Sequence, residues 1–263
     1  MLVPFTSSPR PNTMKLFIDS HVHVYPSYNI DAFLLALRTR ITRTNASCGI
    51  LFLAERMGLD AFASWAKGEN LPPDTSVTRS DSCSLVLRRS GYPAIIIVSG
   101  RQIACSERIE ILALATRETF QDGIKAQDAI SSALASGAVP VLAWGVGKWL
   151  FHRSKIVESI LKASDPDKLF IGDSSLRPVF WKMPVLLSHA VSLGYKVLAG
   201  SDPLPPRYEQ VRVGEYADLV ESAEIDFSSP LTPQVVSILT GKTLVHTGRR
   251  ARFFEFLRRM IIK

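Results

Sequence analysis

His21 and His23 are the residues of this chain whose types and spacing point most directly to chemistry. They close an apolar run that begins at Lys15, and in an extended segment residues two apart project to the same side. Two neutral imidazoles on one side form a ligand pair for zinc, manganese or iron. Asp19 shares that face and can orient one ring as an outer acceptor. Asp202, in Leu198-Ala-Gly-Ser-Asp-Pro203, ends the last apolar run. A carboxylate there can ligate a metal or act as a general base, while the competing reading is an Asx turn before Pro203.

Short apolar runs position these residues. Strands are expected at Lys15–Asp19, Gly49–Leu53, Ala94–Val98, Ile109–Leu114, Val139–Ala143, Leu169–Ile171 and Lys196–Ala199. Helical periodicity fills Asp31–Thr44, Leu59–Lys67, Ala126–Ser136, Lys148–Ala163, Pro178–Leu193 and Thr232–Leu239, with Asp31 as an N-cap. Strands alternating with helices imply parallel βαβ units. Seven of them favour a closed or nearly closed barrel over an open doubly wound sheet, which lacks a glycine-rich first turn here. Leu71–Ser84 reads as loop, and the segment joining Val98 to Ile109 as a turn-like excursion.

Nearly every strand ends in a polar cluster: His21 and His23, Glu55-Arg56, Arg101-Gln102, Trp144 to Lys148, Asp173, and Ser201-Asp202. In barrels and open sheets alike, strand C-termini form the face that binds ligands. Glu55, Glu107 and Glu110 are candidates to complete a metal shell, and Glu107 also for proton transfer. Arg56, Arg101 and Gln102 are candidates to hold an anion, with Arg108 added to the cationic mouth. Asp173 and Arg177 either pair as scaffold or flank substrate. Lys148 follows a Gly-rich turn that lacks phosphate-loop spacing, so ATP binding is not supported, yet the lysine can neutralise an anion. His152, His189 and His246 take ordinary packing or surface roles.

The chain has 263 residues, 46% of them hydrophobic, enough for one large core. Met1 to Thr13, rich in Pro and Ser, reads as a disordered leader, and Met14 is an alternative start. Three cysteines without CxxC spacing suggest neither disulfides nor a zinc knuckle, so a reducing cytoplasm is expected. The net charge of +7 sits almost wholly in the tail, where residues 242–263 hold seven basic side chains against Glu255. That tail reads as a basic helix packed on the barrel, or as a contact for an acidic protein or a membrane surface. Basic and aromatic residues do not interleave over the core, so nucleic acid is not expected as a partner.

The motifs resemble the polymerase and histidinol phosphatase (PHP) family. Phe17-Ile-Asp-Ser-His-Val-His looks like its first motif, and Gly200-Ser-Asp-Pro like its late one. Gly49-Ile-Leu-Phe-Leu-Ala-Glu-Arg, Gly100-Arg-Gln-Ile and Ile109-Glu-Ile-Leu fall between them in family order. The amidohydrolases also open with an HxH strand. The resemblance implies a single distorted (β/α)7 TIM-like barrel over residues 14–241 and hydrolysis of phosphoesters. Where the family carries further ligands this chain has Arg56, Gln102, Glu110, Trp144 and Leu204. Arg, Trp and Leu offer no metal donor. A mononuclear site of His21, His23 and Asp202 with Glu55 or Glu110 is therefore expected, holding a divalent ion and acting on a small anionic substrate. The alternative is a non-catalytic barrel that binds an anion or a protein partner.

Overall fold

A computed structural model describes residues 13–261, and for residue 222 the backbone alone. The leader read over 1–13 therefore lies outside the described residues except for its last one. In chain order the strands are β1 (Met14–Val22), β2 (Cys48–Leu53), β3 (Ser76–Arg79), β4 (Ser84–Arg88), β5 (Ala94–Val98), β6 (Gly100–Ala104), β7 (Glu110–Leu114), β8 (Val139–Ala143), β9 (Phe170–Ser174), β10 (Val197–Gly200), β11 (Tyr216–Ala223) and β12 (Val245–Gly248). The α-helices are α1 (Ile30–Arg43), α2 (Ala61–Ala66), α3 (Ala126–Ala135), α4 (His152–Ala163), α5 (Val185–Ser192), α6 (Leu231–Gly241) and α7 (Phe253–Ile261), with a 3-10 turn at Arg207–Arg212.

These strands build two mixed sheets, not one closed barrel. Seven run in the order β12-β11-β1-β2-β5-β4-β3 and five in the order β10-β9-β8-β7-β6. The expected barrel is overturned by hydrogen bonding at β1. Antiparallel β11 takes its outer edge from Met14 to Ile18, so β10 has no ladder to join there. Antiparallel hairpins β3–β4 and β6–β7 also interrupt the parallel series. The sheets nevertheless meet at two places near the ends of β1 and β2. Glu55 forms a parallel bridge with Arg101, and the amide of Asp202 donates to the carbonyl of His21 at 2.9 Å.

Period-two alternation explains the layering. Leu16, Ile18, Leu112, Leu114 and Val141 turn into a core between the sheets, which α6 completes with Leu231, Val235, Ile238 and Leu239. Phe17 and Leu51 turn the other way, against α1 and α2. Ile111, Leu142 and Ile171 meet α3, α4 and α5. Gly100 stands where β6 passes β2, and a Cβ there would lie 2.5 Å from the carbonyl oxygen of Leu53. No larger residue fits that crossing without moving backbone.

Local chemistry moves several expected boundaries. Asn29, not Asp31, caps α1 by accepting from the amide of Ala32 at 3.0 Å. α5 begins only after Pro184, because a proline keeps the residue before it out of the helical region. The segment expected as one basic helix from 242 divides into β12 and α7, and its last two residues lie outside the described ones. No helix among the described residues is long and apolar enough to cross a membrane.

His246 on β12 has a larger part than surface packing. Its Nδ1 meets the fully buried carboxylate of Asp218 at 2.6 Å, and the other oxygen of Asp218 accepts from the amide of Ala199 at 2.8 Å. This pair ties β12 and β11 to β10 across the gap between the sheets. The hydrogen bond to Asp218 holds His246 above its ordinary value of 6.5. A histidine raised on folding gives stability that is full below its unfolded value and lost as pH rises through the raised one. Wild type should therefore melt higher than His246→Gln at about pH 5.5, with the gap closing by about pH 9. The partly exposed ring limits the effect to about 1 kcal/mol. Thermal melts across that range check it, and a gap that widens with pH would overturn the assignment.

Candidate metal centre

Three donors converge at the seam. His21 and His23 leave the end of β1 on one side, and their Nε2 atoms stand 3.1 Å apart. Asp202 Oδ1 lies 3.7 Å from the first and 3.5 Å from the second. All three side chains are buried, and they form the one metal-capable group of this kind among the described residues. Donors held about 2.0–2.1 Å from a tetrahedral ion lie about 3.3–3.4 Å from one another, so this triangle fits one such ion. Burial, and then the adjacent His21, push His23 down to about 4, which leaves the neutral imidazole that ligation requires. The fit is weaker behind the ring. His23 Nδ1 is buried without a hydrogen-bond partner, whereas ligating imidazoles normally donate that second N–H.

The backbone around the donors is tightly set. Gly200 permits β10 to approach β1, since a Cβ there would fall 2.3 Å from that of His21. Asp202 has φ +47, in the left-handed region that non-glycine residues seldom enter. Asp19 does not orient an imidazole. Its buried carboxylate accepts from the amides of Ser201 at 2.9 Å and Gly214 at 2.8 Å, from the Ser201 hydroxyl at 2.5 Å, and from the His21 amide at 3.3 Å.

The remaining sequence candidates fall into separate groups. Glu55 accepts from the amide of Phe62 at 3.0 Å, holding the start of α2, and from Arg101 Nη1 at 3.0 Å. The same Arg101 nitrogen donates to the carbonyl of Leu59, and the Gln102 amide donates to that of Glu55. Glu107 accepts from the amide of Ala126 at the start of α3. Asp173 and Arg177 form a buried two-point ion pair, joined by the Tyr216 hydroxyl at 3.1 Å, beside a different cavity that His246 also lines. Glu110 pairs with Lys148, and its charge is felt at His23. Exposed Arg56 hydrogen-bonds the Tyr25 hydroxyl. Trp144 and Leu204 are buried.

Tyr25 is a site neighbour that sequence reading missed. Its ring centroid lies 5.7 Å from that of His23, and burial pushes its hydroxyl up to about 12. The signal was present, because Tyr25 continues the period-two series of His21 and His23. Beyond it opens a cavity of about 740 Å3, walled by Tyr25, Tyr28, Asn29, Leu59, Asn70 and Pro72. The donor triangle lies beside this cavity rather than in its wall.

Fold and site together define an α/β protein of two facing sheets with a buried His-His-Asp donor set at their seam. No family model and no curated protein matches the sequence. Solved structures do share the fold. PsfC from Pseudomonas syringae PB-5123 aligns over 94% of this chain and 96% of its own, at 11% identity and a TM-score of 0.55. The lesion-specific endonuclease PfuEndoQ from Pyrococcus furiosus aligns over 89% of this chain, at 11% identity and a TM-score of 0.52. A further Endonuclease Q structure, in complex with a 27-mer duplex substrate that has an abasic lesion at the active site, aligns over 90% at 11% identity with the same score. This chain spans 59% and 60% of those two endonuclease chains. That duplex complex overturns the expectation that nucleic acid is not a partner. The exclusion was drawn from the absence of interleaved basic and aromatic residues over the core, whereas an Endonuclease Q chain that shares this fold over part of its length is solved with a duplex.

Gly200→Ala removes no donor but drives a methyl group into His21. It should weaken binding of zinc or manganese by roughly 10- to 100-fold, the range seen when the support of a ligand is lost. Calorimetric titration checks this, and wild-type affinity in the variant would contradict the described packing.

Proposed function

We propose that this chain is a metal-dependent hydrolase of phosphoesters, working with one divalent ion held by His21, His23 and Asp202. The observation that carries the reading is the buried triangle of three donors with separations suited to one ion. The resemblance of Phe17–His23 and Gly200–Pro203 to PHP motifs supports it, as does a fold shared with a lesion-specific endonuclease. Nucleic-acid phosphodiesters belong to the proposed substrate class on the strength of the duplex-bound relative.

A divalent cation bound there would supply Lewis acidity and acidify water. The chain's own residues would do the rest. Arg56 and Lys148 are the cations best placed to meet a substrate anion, because Arg56 is exposed and the partner of Lys148, Glu110, is partly open to solvent, whereas Arg101 and Arg177 are held by the buried carboxylates of Glu55 and Asp173. Lys148 would exchange Glu110 for the anion, leaving that carboxylate beside His23 to take up a proton. Tyr25, hydrogen-bonded to Arg56, would orient the group entering the neighbouring cavity.

Metal analysis after growth with zinc, manganese and iron should find close to one ion per chain in wild type and almost none in a His21→Ala/His23→Ala double variant. Cleavage of bis(p-nitrophenyl) phosphate and of an abasic duplex should fall by roughly 10³-fold or more in that variant, since metal ions contribute several kcal/mol to such transition states. Substoichiometric metal in both preparations would sink the proposal. The Glu110–Lys148 pair, at a strand end where PHP relatives carry a ligand, favours a second reading as a non-catalytic anion binder. Stoichiometric metal without cleavage of either substrate would select it.

A further inference from the structure

We propose that Arg259 is a positioning residue for Asp202, which makes the C-terminal helix part of the metal centre; this rests on the metal reading above. Its side chain is fully buried although neighbours on α7 such as Phe254 and Ile261 are exposed. Nη2 donates to the Asp202 carbonyl at 2.9 Å and meets Glu209 Oε2 at 2.9 Å, while Nη1 donates to the Ser175 hydroxyl at 2.9 Å. That hydroxyl donates in turn to the Ser201 carbonyl at 2.5 Å. One guanidinium thus fixes two successive carbonyls of the ligand loop, one directly and one through Ser175.

Asp202 needs such a hold. Its φ of +47 persists only where the surroundings fix it, and Pro203 narrows the accessible backbone further. The planar fork of arginine suits a task that requires three acceptors in fixed directions, which the single ammonium of lysine cannot reproduce. Glu209, itself fully buried, aims the fork and is separately held by Arg212 Nε at 2.9 Å. Leu187 of α5, fully buried in the core on the outer face of the five-stranded sheet, supports the fold without joining this chain of contacts. That difference separates a positioning role from plain support of the fold.

The test uses full-length protein titrated with cobalt(II), reading affinity by chelator competition and geometry from the d–d absorption bands, beside metal-free melting temperatures. Arg259→Lys should bind cobalt roughly 10- to 100-fold more weakly and with altered bands. Ser175→Ala, which removes the relay and no charge, should shift both in the same direction by less. Leu187→Ala should melt lower yet keep wild-type cobalt affinity and bands. The proposal fails if Arg259→Lys binds cobalt like wild type, or if Leu187→Ala loses as much affinity at an equal drop in melting temperature. Should Arg259→Lys not fold, Ser175→Ala decides, and unchanged cobalt binding there overturns the role. Wild type that takes up no cobalt would instead remove the metal reading itself, and the positioning role with it.

Discussion

A single buried carboxylate, Asp19, sets the relation between the two sheets on which the candidate site depends. Its oxygens gather the amide of His21, the amide and hydroxyl of Ser201, and the amide of Gly214. The strand with the histidines thereby meets two segments far from it in sequence, the loop with Asp202 and the turn into β11. Burial pushes this group up to about 7, and those hydrogen bonds pull the other way. A carboxyl group that is costly to bury is tolerated where its oxygens satisfy backbone donors that would otherwise go unmet.

The rest of the mouth follows a different electrostatic rule. Each further carboxylate that reaches it is met by a cation: Glu55 by Arg101 and Arg117, Glu110 by Lys148. Such pairing leaves little net charge from Glu55 and Glu110 in the mouth. Asp60 illustrates the contrast at the rim, where hydrogen bonds from Arg117 hold it down to about 2. The His21–His23–Asp202 group thus sits beside carboxylates whose charges are largely met by neighbouring cations.

The sequence made the local parts of this arrangement legible and the non-local parts illegible. Runs such as Ile50–Leu53 and Ala94–Val98 are buried on both faces and announce themselves as strands. The period-two spacing of His21 and His23 fixed their common side. β3 escaped notice because Ser76–Arg79 is mostly polar and lies at a sheet edge, where nothing in the pattern demands burial. The barrel expectation failed because the edge of β1 is claimed by β11, a pairing between the two ends of the chain that no local window contains. Arg258 and Arg259 show the same limit at the scale of one residue. Adjacent and chemically identical, one stacks on Tyr208 in the open and the other is sealed behind the ligand loop.

The seam has a consequence for how the molecule comes together. His21 and His23 belong to the first strand of one sheet, and Asp202 follows the last strand of the other. An ion shared among them would act as a cross-link closing a loop of most of the chain, and the entropy it removes from open states grows with the length enclosed. Its occupancy would then be a record of topology. Only a chain that has set both sheets in register, and brought its two distant ends to the same corner, would have all three donors to offer.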